Sequence, residues 1–174
     1  MDKSLLCKML SLVAMLIGAS MVFSLPWSMP MCGGDWQYEK QGFFGLLGAM
    51  IVCFAVAAIL RYAGRNSKGH LFRKEAMAVV GLSWVLATVL GALPYVMSAT
   101  ERKPDIKMSV VDSMFESQSG FSTTGATVLT DLEDAEMVPR CILFWRSSTH
   151  FLGGLGIIVL FVAILGQGSR ARRL

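Results

Sequence analysis

ESQSGFSTTGATVL, residues 116–129, is the stretch on which the fold turns. Six Ser/Thr side chains and two glycines stand together there, in a chain of 174 residues that is 54% hydrophobic and only 16% charged. Soluble domains carry about a quarter charged residues, so this composition points to a membrane. The polar run must then lie in water at the membrane surface or be enclosed by protein within it.

Just upstream, MSVVDSMFESQS (108–119) has helical periodicity. Val110, Val111, Met114 and Phe115 form one stripe, and Ser109, Asp112, Ser113 and Glu116 the opposite one. Ser109 or Asp105 can cap its start. About 11 residues reach only about 16 Å, half a bilayer. Two placements are open: an amphipathic helix on the outer surface, or a helix that dips into the membrane. In the second, the helix end near Ser119 and Gly120 aims unpaired carbonyls and about half a negative charge at mid-membrane, favouring a cation. The chain then returns as non-helical backbone, which that depth tolerates only inside protein or along a water-filled path. Gly125 can take a positive φ and turn neighbouring carbonyls to one side. Ser122, Thr123, Thr124 and Thr127 can anchor to protein or offer oxygen to an ion. Rows of carbonyls replacing a hydration shell are how potassium filters work. TTGAT alone is a weak signal, since such runs are usually loops; its position between a half-length helix and a spanning one gives it weight.

Further outward lie four apolar runs: Met9 to Leu25, Gly42 to Leu60, Ala76 to Met97 and Cys141 to Leu165. A spanning helix needs about 20 residues, which these meet or approach. Lys3 and Lys8 before the first run also fit a signal peptide, but no convincing cleavage site follows Pro26 and three more runs do, so a retained helix is expected. The link from Arg61 to Lys74 holds five Lys/Arg and no acid, and Arg170, Arg172 and Arg173 crowd the tail. The other two links mix signs. This alternation places both termini in the cytoplasm. Trp27, Trp36, Tyr38, Tyr95 and Trp145 at the outer ends and Tyr62 at an inner end suggest an aromatic belt, with Trp84 left as a packing residue.

Other chemistries find no support. Cys7, Cys53 and Cys141 lie in or beside apolar runs and are expected to pack as small hydrophobes; Cys32 falls in a loop. Neither these nor the distant His70 and His150 have zinc-like spacing, so no metal beyond a transported ion is expected. GGLG at 153–156 lacks the third glycine of a dinucleotide fingerprint, and no phosphate loop or nucleophile–histidine–carboxylate pattern is present. The charges form no basic face interleaved with aromatics, which speaks against nucleic acid. The chain is not expected to be an enzyme or to hold a cofactor.

Three blocks, KEAMAVVGLSWVLATVLGALPYVMS (74–98), DSMFESQSGFSTTGATVL (112–129) and CILFWRSSTHFLGGLGIIVLFVAIL (141–165), together resemble the TrkH/KtrB family of bacterial potassium-uptake proteins in order and spacing. The two preceding spans fit the extra N-terminal helices of the TrkH branch. The resemblance implies an all-α integral membrane fold in which four helix–pore-loop–helix repeats surround one axis, each giving a filter strand. Residues 1–73 would be the two-helix N-terminal segment, 74–166 the first repeat and 167–174 a basic cytoplasmic tail. Within the repeat, Ala76 to Met97 corresponds to the outer helix, Met108 to Ser119 to the pore helix and Cys141 to Leu165 to the inner helix. Thr123, Thr124, Gly125, Ala126 and Thr127 match the filter strand, with ions passing the carbonyls of Thr123 to Ala126. A serine at the Gly125 position accompanies sodium in related plant transporters, so the glycine points to potassium.

Glu116 and Arg146 are the costliest residues in this picture, because charge at membrane depth needs a partner. Either they pair and brace pore helix against inner helix, or both sit at the wet outer rim. Gly120 and Ser122 would support the strand, and Gly153, Gly154 and Gly156 would let helices approach closely. Family chains are far longer, and this sequence matches about their first third, with one filter strand of four; Ser147 to His150 replace a stretch that often contains Gln and Trp. The expectation is potassium transport across the bacterial inner membrane by a partial chain, completed by the remaining three repeats or by other copies. A cytosolic nucleotide-binding regulatory subunit and a homodimer of pores are implied as partners. The alternative is a non-conducting four-helix membrane protein that assists assembly or regulation.

Overall fold

The structure is a computed structural model that describes residues 3–29, 36–65, 73–98, 100–132 and 137–170. The expectation for Cys32, most of the basic link and the last four residues lie outside these. Helix α1 spans Lys3–Met21 and tightens into a 3₁₀ segment, Val22–Ser28. The apolar run to Leu25 had suggested one continuous helix; Pro26, which has no N–H to give, lies in the tightened part. Helix α2 covers Trp36–Ala63, α3 Arg73–Met97, α4 Val110–Phe121 and α5 Arg140–Arg170. Four stretches are long and apolar enough to span a membrane: Lys3–Ser28, Glu39–Ala63, Ala76–Met97 and Arg140–Val159. At 12 residues, α4 covers about 18 Å.

Small residues set the helix spacing. A Cβ on Gly18 would stand 3.0 Å from Cys53 Cβ, bringing α1 onto α2, and one on Gly45 would stand 2.5 Å from the backbone nitrogen of Ser98, bringing α2 onto the end of α3. Ala14, Ile17 and Met21 of α1, Leu46, Ala49 and Cys53 of α2 and Leu90 and Tyr95 of α3 share one buried cluster with Ile142 and Trp145 of α5. Cys53 and Cys141 are buried free thiols and Cys7 is half-buried.

Two features depart from the sequence reading. The link after α3 contains a small antiparallel hairpin, β1 (Glu101–Lys103) and β2 (Ile106–Lys107). Pro104 and Asp105, the latter at φ 63°, form its turn. Asp105 is therefore a turn residue and not the cap of α4. The hairpin ties the link down: Thr130 N–H donates to Arg102 O at 3.2 Å and Glu101 N–H to Met137 O at 3.0 Å. The aromatic belt is also smaller than expected. Trp27, Trp36 and Tyr62 are exposed at span ends, whereas Tyr95 and Trp145 are buried. Trp145 Nε1 donates to Gly91 O at 3.1 Å, fastening α5 to α3. Trp84 packs against the core, as its mid-span position suggested.

Candidate ion-conduction site

Helix α4 packs against both α3 and α5, and its ends are built by local chemistry. At the start, Ser109 Oγ accepts from Asp112 N–H at 3.1 Å while Asp112 Oδ2 accepts from Ser109 N–H at 3.1 Å, a reciprocal capping box. These Ser109 bonds, side chain first and backbone second, hold the Asp112 carboxyl below the usual carboxylate range; Arg102, 3.4 Å away, adds to the effect.

The stripes of α4 face opposite to those of a surface helix. Ser113, Glu116 and Ser117 are fully buried, while Val111 is 75% exposed and Val110, Met114 and Phe115 are exposed beside it. A helix lying on a bilayer would turn its polar stripe to water. Here that stripe faces protein, which removes the surface placement left open above.

The C-terminal end of α4 is closed. Thr123 N–H donates to Gly120 O at 2.9 Å and Thr124 N–H to Ser119 O at 3.0 Å. This is a Schellman closure, which places a left-handed residue just past the helix, normally glycine. Thr123 occupies that place at φ 59°. A β-branched residue there is strained by about 1–3 kcal/mol. The unpaired carbonyls expected at Ser119 and Gly120 are therefore satisfied, because the closing turn supplies them with donors.

From Thr123 to Thr127 the chain is exposed and non-helical, with a second left-handed residue at Gly125, φ 78°. Two left-handed residues in three break the in-and-out alternation of carbonyls that an extended chain would have. The segment is held from behind by side chains. Glu116 Oε1 accepts from the Thr127 hydroxyl and from Val128 N–H at 2.7 Å, and Glu116 Oε2 accepts from Arg146 Nε at 3.0 Å. Arg146 Nη2 also donates to Gly125 O at 3.3 Å, Ser119 Oγ to Ala126 O at 2.6 Å, and the Ser122 and Thr124 hydroxyls lie 2.8 Å apart. Glu116 is fully buried and Arg146 keeps 14% side-chain exposure, so the two meet as an ion pair behind the segment. Of the four carbonyls expected to be free, those of Gly125 and Ala126 already receive a donor. Those of Thr123 and Thr124 receive none among the described residues.

The three α5 glycines separate. A Cβ on Gly153 would lie 2.0 Å from Phe121 O, and one on Gly120 2.1 Å from Thr149 Oγ1, so α4 and α5 touch through these two. Gly154 reaches only the Thr123 methyl at 4.0 Å, and Gly156 meets nothing within 4 Å among the described residues. Among the described residues, then, Gly153 is the one of the three at which a Cβ would meet another helix's backbone, since Gly156 stands nearly a turn past the crossing with α4.

Sequence reasoning missed Ser119, Thr149 and His150. Ser119 was legible, for it continues the Ser109, Asp112, Glu116 face by one turn. His150 carried no such signal: its Nδ1 lies 2.9 Å from Arg146 O, and a Cβ on Gly125 would lie 3.9 Å from its Nε2. A carbonyl only accepts, so Nδ1 is the donor in this contact. No group of three or more His, Cys, Asp or Glu able to hold a metal exists among the described residues.

Residues 44–170 match the TrkH family, described as cation transport protein. Two relatives named Trk system potassium uptake protein TrkH, from Salmonella typhimurium and Escherichia coli, are each 40% identical over 114 residues, 66% of this chain and 22% of theirs. The protein of the same name from Halomonas elongata is 30% identical over 174 residues, 98% of this chain and 33% of its own. The chain therefore spans a fifth to a third of the length of these relatives. An all-α, multi-pass membrane architecture and a family match covering α3, α4, α5 and most of α2 lead to one assignment: the chain belongs to the TrkH family of cation transport proteins.

Proposed function

We propose that this chain contributes one strand of a potassium-selective filter, Thr123 to Thr127, to a Trk-type uptake pore. The observation that carries the reading is the exposed, doubly left-handed segment held from behind by a buried Glu116–Arg146 pair. The free carbonyls of Thr123 and Thr124 are its primary ion ligands. Those of Gly125 and Ala126 each keep a second lone pair while Arg146 and Ser119 fix their direction. Their negative ends would replace a cation's hydration shell. The names of the three relatives given above, each a potassium uptake protein, support potassium as the ion. No catalytic chemistry is part of this reading, and potassium is cargo.

A ring of carbonyls is needed to surround an ion, so further repeats or other copies complete the filter. The exposed flank of residues 123–127 and the outward stripe of Val110, Val111, Met114 and Phe115 are the surfaces that meet them. The proposed setting is the bacterial inner membrane, with Lys3, Lys8, Arg61 and Arg65 on the cytoplasmic side and both termini there. A cytosolic nucleotide-binding subunit would be the partner at that face, and a second pore would complete a homodimer.

The test is rubidium uptake in a potassium-uptake-deficient strain. The chain co-expressed with the remaining repeats should restore uptake, and Gly125→Asp should abolish it at equal membrane abundance. Unchanged uptake with Gly125→Asp, or full uptake by this chain acting as a monomer, would overturn the proposal.

A further inference from the structure

At the Trp36 end of α2, Lys40, Gln41 and Phe44 of that helix line a cavity of about 390 Å³ together with Met97, Ser98 and Lys107 of β2. The cavity sits where two spans end, since the apolar part of α2 begins at Glu39 and that of α3 stops at Met97. We propose that it binds an anionic phospholipid.

The two walls of the cavity have different chemistry. Lys40 and Lys107 are exposed, and among the described residues neither has an acidic partner within ion-pair distance. The nearby carboxylates form no ion pair with either lysine and each accepts a backbone N–H, although Glu39 Oε2 has no hydrogen-bond partner. Glu39, next to Lys40 in the chain, is 1% exposed and its Oε1 accepts from Arg140 N–H at 2.8 Å. Glu101, opposite Lys107 in the hairpin, accepts from Asp105 N–H at 2.9 Å. Lys40 also stands near the N-terminus of a 28-residue helix, whose dipole places partial positive charge there. Two unpaired ammonium groups over that pole make a positive seat that a phosphodiester satisfies.

The other wall is apolar. Phe44 is 64% and Met97 44% exposed, and Phe44 lies one turn past Lys40 on the same face of α2, toward the membrane interior. Charge outermost and exposed apolar side chains inward reproduce the order of a phospholipid's headgroup and acyl chain. A free phosphate would use the lysines and leave Phe44 and Met97 uncovered, so the two-part lining favours the lipid.

The experiment is native mass spectrometry and thermal unfolding of the purified chain in neutral detergent, titrated with phosphatidylglycerol or phosphatidylcholine of the same acyl chains. Wild type should retain phosphatidylglycerol preferentially and unfold at a higher temperature with it. Lys40→Gln/Lys107→Gln should weaken that retention on the order of 25-fold, from about fivefold per lysine. Lys3→Gln/Lys8→Gln, at the opposite end of α1, should leave it unchanged. Phe44→Ala should weaken both lipids alike. Equal retention of the two lipids by wild type overturns the proposal without reference to any variant. So does displacement of phosphatidylglycerol by millimolar inorganic phosphate, or unaltered retention in Lys40→Gln/Lys107→Gln.

Discussion

Arg146→Gln tests the brace behind residues 123–127. The substitution removes the donor to Glu116 Oε2 and the donor to Gly125 O. Glu116 is fully buried, so its carboxylate is left with a charge that nothing neutralises. Breaking a buried ion pair from one side costs about 3–5 kcal/mol. Glu116 Oε1 keeps the Thr127 hydroxyl and the Val128 N–H, which places the loss near the lower end, about 3 kcal/mol. Adding Glu116→Gln removes the second charge while leaving an amide oxygen to accept from Thr127 and Val128. The double variant should therefore recover at least half of the loss, about 1.5 kcal/mol, a non-additivity that a double-mutant cycle including Glu116→Gln alone measures. Unfolding in detergent measures the stability, and rubidium uptake by the assembled protein measures the function, which the single variant should lose because Gly125 O is no longer held. Wild-type stability together with full uptake in Arg146→Gln would refute the bracing argument. Additive losses in the cycle would refute the pairing.

Three further outcomes follow from the same geometry. Gly153→Val should destabilise by about 3 kcal/mol or more, because the Phe121 carbonyl 2.0 Å from the new Cβ belongs to backbone that cannot yield, while Gly156→Ala, with open space, should be neutral or gain up to about 1 kcal/mol; thermal unfolding separates them. Gly125→Ala meets no steric obstacle, since His150 Nε2 would be 3.9 Å from its Cβ, but must hold φ 78°; the cost of about 1–2 kcal/mol should appear as reduced potassium-over-sodium discrimination in flux assays, with normal folding. Asp112, whose folded carboxyl titrates below its unfolded value, contributes stability that is present above about pH 4 and lost as pH falls through the folded value; Asp112→Asn should lower stability at pH 7 and flatten the profile below pH 4, so that the two proteins converge in acid.

Much of the architecture was legible because lipid imposes few solutions on a backbone. Four apolar runs of sufficient length could only be helices, and the half-length helix announced itself by two clean stripes. The sequence could not say which stripe faced protein. In water the apolar one is buried; here Ser113, Glu116 and Ser117 are buried and Val111 is exposed, a choice made by the neighbours α3 and α5. The hairpin escaped notice because five strand residues carry no periodicity, although Lys103-Pro104-Asp105 marked the turn. Tyr95 and Trp145 were misplaced in the belt for a related reason: position near a span end says nothing about which way a side chain points around the helix.

The candidate site divides in the same way. Residue types alone determined that STTGAT had the polarity, the glycine and the flanking helices for a carbonyl-lined path, and that Glu116 and Arg146 needed partners. Only the tertiary structure decided that each is the other's partner, that Thr123 takes the left-handed place glycine usually fills, and that Ser119 and Arg146 claim two of four carbonyls. The two contacts of Arg146 depend on residues 21 and 30 positions apart meeting at the crossing of α4 and α5, where Gly120 and Gly153 allow contact closer than any side chain would. Periodicity along one helix gives the face on which a residue lies, whereas the distance between two faces is set by packing.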